Sequence, residues 1–193
     1  GGSRGWTIFD TTGRVRWDSG NSLERLAVQY GLHNEDRAAK KGVEPEGLAV
    51  ATYRGTRYAF VASERSNFVA VYTLNGATPK LAGLLPTTNG PEGVLPITKR
   101  GLLAISSETD DASAGVRSAI SLFRLDRVAE SAAWPSIRST TTAGVPIGWS
   151  ALGALSAKPG SSSTLYAAAD TVISNASLYT IDTRQLPARI TSA

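Results

Sequence analysis

The chain has 193 residues, enough for one domain with a sizeable core, and its 19 Gly and 9 Pro favour a turn-rich β protein over a helical one. The formal charge is +4, but Lys and Arg are scattered apart from one cluster at Arg37, Lys40 and Lys41, which excludes the basic stripe expected of a nucleic-acid-binding protein. Cysteine is absent, so disulfides, thiolate metal sites and thiol nucleophiles are excluded.

Residues 1–20 indicate a β-hairpin. The stretches "GWTIFD" (5–10) and "GRVRWDSG" (13–20) flank a Thr-Thr-Gly turn and alternate in the way that half-buried strands do. We interpret them as the last two strands of a sheet that begins outside this sequence.

Residues 21–44 predict a short helix followed by a loop. Asn21 or Ser22 can cap the helix, Glu24 lies in its first turn, and Gly31 can end it. The polar residues 34–42 are typical of a loop.

Three similar β units follow, at residues 45–88, 89–142 and 143–193. Each has a strand that ends in an acid, as in "YAFVASE" (58–64), and then a second strand. The second strands end at Asn75, Asp126 and Asp182, so the units are spaced by 51 and 56 residues. Each unit can be divided into four strands, the fourth strand of the second unit lying roughly at 134–140. Such a period is typical of propeller blades.

The sequence therefore predicts an all-β fold, a β-propeller with about three and a half four-stranded blades. Because this number does not close a ring, we expect the remaining blades in the same or another chain. The lack of a methionine at position 1 agrees with a processed chain or a fragment. A four-bladed propeller and a β-sandwich are the alternatives. No membrane-spanning helix is predicted, since the most apolar stretch, 143–157, is broken by Pro146 and glycines.

Carboxylates recur at equivalent points of these units. Glu46 and Glu92 begin the innermost strands, and Glu64, Glu108 and Asp170 end the strands that follow. Because antiparallel neighbours return to the same face, these five acids could form a rim that binds calcium or magnesium. They could equally cap strands and accept backbone hydrogen bonds.

The rim is incomplete, and other catalytic groups are scarce. Gly153 stands where the third unit would need an acid, and Glu44 has no counterpart in the second unit, which places it outside the predicted rim. His33 is the only histidine and lacks a Ser-Asp constellation nearby, which disfavours a serine-histidine-acid triad. Arg65, directly after Glu64, could contact an anionic group at the rim, and the interpretation we favour is an ion pair with Glu64 or Glu46.

Two stretches of the chain resemble a known family. "FDTTGRVRWDSGNSLERLA" (9–27) and "KKGVEPEGLAVATYRGTRYAFVASERSNFVAVYTL" (40–74) resemble the bacterial choice-of-anchor I proteins, which are related to the phytase-like propellers. The resemblance implies a secreted or cell-surface β-propeller that uses calcium and acts on phosphoesters. It places these residues on the family's recurring polar positions: Asp18, Asn21, Glu24, Glu46, Glu64 and Arg65.

Three functional hypotheses follow. The first is a calcium-assisted phosphoester hydrolase in which Glu46 and Arg65 are catalytic. Its metal ligands would be Glu46, Glu64, Glu92, Glu108 and Asp170. A clear Lys and Arg cradle is lacking, which argues against phytate as the substrate. The alternative is a non-catalytic surface propeller that binds a protein or polysaccharide. A third possibility is a scaffold segment, with the active site on the missing blades.

Overall fold

The computed structural model describes residues 4–126, 137–170 and 177–193. It consists of mostly antiparallel sheets with few helices, which confirms the all-β prediction. The first strands are β1 (Thr7–Phe9), β2 (Val15–Asp18), β3 (Pro45–Tyr53), β4 (Thr56–Ser63), β5 (Phe68–Thr73), β6 (Lys80–Pro86), β7 (Pro91–Ile97), β8 (Leu102–Ser107) and β9 (Ala119–Arg124). The later strands are β10 (Ile137–Ser139), β11 (Thr141–Thr142), β12 (Val145–Pro146), β13 (Leu152–Ala157), β14 (Thr164–Ala169), β15 (Leu178–Asp182) and β16 (Ala188–Ser192).

The chain divides into two compact units, Gly1–Leu23 with Asn34–Val128 and Glu24–His33 with Ala129–Ala193. The described residues of the first unit form the hairpin β1-β2, the sheet β3-β4-β5-β6 and the sheet β7-β8-β9. Those of the second unit form a five-stranded sheet in the order β10-β16-β15-β14-β13 and the small hairpin β11-β12.

The predicted N-terminal hairpin and helix are both present. Trp6, buried on β1's side of the hairpin, lies 4.7 Å from Trp17 and 5.0 Å from Tyr72 between ring centroids. The helix α1 spans Ser22–Gln29, and its apolar face is buried through Leu23, Leu26 and Ala27.

The prediction of a loop at residues 34–42 was partly wrong. A single helical turn, α2 (Glu35–Ala38), lies within it. Glu35 and Asp36 stand in its first turn, where the helix dipole favours negative charge. One turn is too short to show the helical periodicity that a sequence pattern needs.

The first unit is held together by the packing of sheet β7-β8-β9 on sheet β3-β4-β5-β6. Strand β4 is a nearly continuous apolar run because both of its faces are buried from Ala59 to Ser63. Phe60 and Val69 of one sheet form a core with Leu103 and Ile105 of the other. Full burial of each large side chain stabilises the fold by about 1.5–3 kcal/mol.

The second unit has its own core, and one strand pairs differently from the prediction. Tyr179, Ile181 and Ile190 are buried together, and the Tyr179 hydroxyl donates to the Gly148 carbonyl at 3.1 Å. Residues Ile137–Ser139, expected as the fourth strand of the 89–142 unit, pair instead in parallel with β16. The start of that predicted strand, including Trp134, lies outside the described residues.

Trp149 packs on the C-terminal end of α1. Its Nε1 donates to the Gln29 carbonyl at 2.9 Å. Gly31 has a φ of +67°, and a Cβ on it would lie 3.0 Å from the Trp149 ring, so the glycine that ends the helix also makes room for the indole. No helix in the described ranges is long and apolar enough to cross a membrane.

Candidate metal centre

Strands β3, β7 and β13 begin with the same irregularity. In each, the pairing register shifts by one residue, between Pro45 and Gly47, between Pro91 and Gly93, and between Leu152 and Ala154. The skipped residues are Glu46, Glu92 and Gly153. A β-bulge re-aims the side chain of its extra residue. Glu46 and Glu92 are therefore bulge residues, and Gly153 is their geometric equivalent.

The residue two places before each bulge adopts a left-handed backbone. The φ angles are 53° at Glu44, 73° at Gly90 and 36° at Ala151. Their carbonyls accept hydrogen bonds from the N–H groups of the acids that follow the neighbouring strands: Glu64 at 3.0 Å, Glu108 at 2.9 Å and Asp170 at 2.8 Å. Glu44 thus has counterparts in Gly90 and Ala151, but it alone of the three carries a charge at this position.

Gly47 lets two strands meet at this point. A Cβ on Gly47 would lie 2.1 Å from the backbone oxygen of Glu92 and 3.1 Å from Ala62 Cβ. Since real Cβ atoms do not approach backbone this closely, the start of β7 can contact the start of β3 only because residue 47 lacks a side chain. The glycine of the "PEG" motif therefore has a packing role.

Three carboxylates converge at the start of β3. One oxygen from each of Glu44, Glu46 and Glu64 lies within 4.8 Å of the others. Glu44 and Glu64 are buried, with 4% and 3% of their surface exposed, whereas the Glu46 side chain is 39% exposed. The prediction that Glu44 lies outside the acidic group was wrong. We call Glu44, Glu46 and Glu64 the carboxylate cluster.

Three basic side chains neutralise the carboxylate cluster. Lys41 Nζ lies 2.5 Å from Glu44 Oε1 and 3.8 Å from Glu46 Oε1. Arg37 Nη2 lies 2.6 Å from Glu44 Oε2. Arg65 Nε lies 3.2 Å from the same Glu44 oxygen, and its Nη2 lies 2.7 Å from Glu64 Oε1. The six charged groups therefore sum to zero.

The two buried carboxyls have opposite pKa shifts. The hydrogen bond from Lys41, supported by Arg37 and Arg65, lowers the pKa of Glu44 to about 2 despite burial. Burial raises the pKa of Glu64, and neighbouring carboxylates including Glu46 and Glu44 add to this, while Arg65 opposes it. The basic partners therefore outweigh the cost of burying the Glu44 carboxylate, whereas Arg65 does not outweigh it for Glu64.

Glu64 lacks a complete set of partners. Its Oε1 is buried and accepts no hydrogen bond from the described residues. Arg65 Nη2 is near, at 2.7 Å, but its N–H is not directed along a hydrogen bond. Burial of a carboxylate oxygen without a hydrogen bond costs free energy that the Arg65 ion pair offsets only in part, and a bound cation would reduce that cost further.

Stability should depend on pH through Glu44. Its folded pKa of about 2 is below the ordinary value of 4.5, so its contribution is present above about pH 4.5 and is lost as the pH falls toward 2. We expect the free energy of unfolding, measured by urea denaturation, to fall between about pH 6 and about pH 3 by more in the wild type than in Glu44→Gln. An equal fall in both proteins would contradict this assignment.

The other three predicted ligands, Glu92, Glu108 and Asp170, are not members of the carboxylate cluster. Glu108 is exposed and close enough to raise the pKa of Glu64. Glu92 is exposed, and its backbone contacts Gly47. Asp170 is exposed and belongs to the second unit. Metal binding by these three residues stays a prediction.

Two further polar positions of the family resemblance have local partners. Asp18 accepts hydrogen bonds from the Gly20 N–H at 2.7 Å and from the Thr7 hydroxyl, so it fixes the turn after β2. Glu24 Oε2 lies 3.7 Å from Nδ1 of His33. Neither acid belongs to the carboxylate cluster.

The part of the chain that carries the carboxylate cluster matches a known protein family. Residues 1–77 match the family model of the choice-of-anchor I domain. The match confirms the resemblance found in the sequence. The choice-of-anchor I segment contains the whole carboxylate cluster and its three basic partners. Comparison with curated proteins and with solved structures gave no match.

Proposed function

We propose that this chain is part of a surface-associated β-propeller whose choice-of-anchor I segment binds calcium through Glu44, Glu46 and Glu64. The name of the matched domain supports a place at the bacterial cell surface. The four-stranded meander β3-β4-β5-β6 and the meander β13-β14-β15-β16 have the form of propeller blades and support that architecture.

The observation that carries the calcium proposal is the buried Glu64 oxygen without a hydrogen bond, which lies in a group of three carboxylates. Carboxylate oxygens are the ligands that calcium prefers, and calcium tolerates irregular geometry. The donor set therefore fits this ion. Bound there, calcium would join the start of β3 to the turn after β4 and remove the repulsion among the three acids.

Calcium binding can be tested with variants that keep the fold. Glu46 is exposed, and of the described basic groups Lys41 is its ion-pair partner, so Glu46→Gln should fold normally. We expect calorimetry to detect calcium binding to the wild type and at least about a tenfold weaker affinity in Glu46→Gln, because a charged ligand is lost. Thermal unfolding should show a calcium-dependent rise that is smaller in this variant.

Glu92→Gln is the matched control, since it makes the same change at the equivalent bulge of β7. An unchanged affinity would restrict the site to the carboxylate cluster, and a weakened one would extend it to the predicted rim. Absence of calcium binding by the folded wild type would refute the proposal.

Phosphoester hydrolysis is a second candidate function, favoured by the position of Arg65. The Arg65 side chain is 37% exposed, and its guanidinium contacts Glu44 and Glu64. From there it could neutralise a phosphate oxygen. Glu46, the exposed acid, would then accept a proton from an attacking water. The rival is a non-catalytic surface propeller that binds a protein or polysaccharide.

Release of phosphate from p-nitrophenyl phosphate distinguishes these two functions. The hydrolase predicts turnover that needs calcium and falls at least about a hundredfold in Glu46→Ala. A complete lack of turnover over a panel of phosphoesters, with calcium present, would leave the binding function.

A further inference from the structure

Lys41 lies beside two of the three acids of the carboxylate cluster. Its ammonium lies 2.5 Å from Glu44 Oε1 and 3.8 Å from Glu46 Oε1. Arg37 and Arg65 both bind the other oxygen of Glu44, Oε2. Of the three basic partners, Lys41 is therefore the one that stands between Glu44 and Glu46.

The three basic partners differ in how easily they can leave. The two guanidinium groups contact Oε2 of Glu44, and Arg65 also contacts Glu64. The Lys41 side chain is 48% exposed. It carries a compact charge on a flexible four-carbon stem, and an ammonium is readily hydrated. Lys41 can move into solvent without breaking the other ion pairs of the cluster.

We propose that Lys41 is a tethered counter-ion that holds the cation position between Glu44 and Glu46, and that a divalent cation binds by displacing it. This inference rests on the calcium binding proposed above. Without calcium, the ammonium stabilises the three carboxylates. With calcium, two positive charges replace one, and the buried Glu64 oxygen that accepts no hydrogen bond gains a second cationic partner beside Arg65.

Displacement sets the concentration range in which the site works. The cation must overcome the Lys41–Glu44 contact before it gains its own ligands, so the affinity is lower than three free carboxylates would provide. Extracellular calcium modules bind with dissociation constants of about 10⁻⁴–10⁻³ M. We expect the dissociation constant of the wild-type site for calcium to lie in this range. Calcium would then occupy the site outside a cell, and Lys41 would remain paired with Glu44 inside one.

Calcium titration of Lys41→Met at constant ionic strength tests the inference directly. Methionine keeps much of the side-chain length and removes the charge. Because the ion no longer has to displace the Lys41 ammonium from Glu44, we expect the affinity to rise by about tenfold or more. Lys40→Met is the matched control, since Lys40 is the exposed neighbour, and its affinity should stay within about twofold of the wild type.

The outcomes separate this inference from the function on which it rests. If the wild type binds calcium and Lys41→Met binds it no more tightly, the displacement idea is wrong and calcium binding stands. If neither protein binds calcium while circular dichroism shows both folded, both ideas are wrong. Thermal unfolding gives a second measurement. In chelator, Lys41→Met should unfold at a lower temperature than Lys40→Met, and saturating calcium should raise its midpoint by more than that of the wild type.

Discussion

Replacing Gly47 by alanine should destabilise the first unit by about 3 kcal/mol, the upper end of the range for overpacking a close contact. The added Cβ would lie 2.1 Å from the Glu92 backbone oxygen and 3.1 Å from both Ala62 Cβ and Val94 Cγ2. None of these atoms is the far end of a flexible side chain, so the start of β7 must move away from β3. Urea denaturation followed by tryptophan fluorescence would measure the loss.

Gly83→Ala is the control for that experiment. Gly83 lies within β6, and a Cβ there would meet nothing within 4 Å. Because alanine restricts the unfolded chain more than glycine does, this substitution should be neutral or stabilise the protein by up to about 1 kcal/mol. Equal stabilities of Gly47→Ala and Gly83→Ala would contradict the close approach of the two strands.

Replacing Glu44 by alanine should lower the free energy of unfolding by about 2 kcal/mol. Removing one partner of a buried ion pair costs about 3–5 kcal/mol. The loss should be smaller here because Lys41 and Arg65 are partly exposed and water can solvate them after the change. The three cations would then face Glu46 and Glu64 alone. Denaturation at neutral pH, without calcium, is the measurement.

Two further variants separate the charge of Glu44 from its backbone. Glu44→Gly also removes the carboxylate, but it relieves the left-handed φ of 53°, so it should be more stable than Glu44→Ala by about 1 kcal/mol. Glu46→Ala, at an exposed position, should cost no more than about 0.5 kcal/mol. If Glu44→Ala proved as stable as Glu46→Ala, the ion pairs of Glu44 would have no structural role.

The sequence was sufficient for most of the β structure. Apolar runs such as 58–64, bounded by glycine and polar turns, predict strands. The run is nearly continuous because both faces of β4 are buried there. The alignment of Gly153 with Glu46 was also correct in geometry, since both residues lie at the same register shift. Local pattern and turn chemistry carry this information.

The position of Glu44 could not be read from the sequence. Its equivalence to Gly90 depends on a left-handed backbone and a shared hydrogen bond, and neither follows from residue type. The adjacency of Glu64 and Arg65 and the three-residue spacing of Lys41 and Glu44 were the local signals of ion pairs. The contact with Arg65 joins residues 21 positions apart, and the pairing of β10 with β16 is likewise set by tertiary packing.

A crystal structure of the protein soaked in calcium at saturating concentration would show directly whether the carboxylate cluster binds the ion. We expect an ion bound by carboxylate oxygens of Glu44, Glu46 and Glu64 at about 2.3–2.6 Å, with the Lys41 ammonium turned into solvent. A cluster without an ion, in which Lys41 still bridges Glu44 and Glu46, would contradict it.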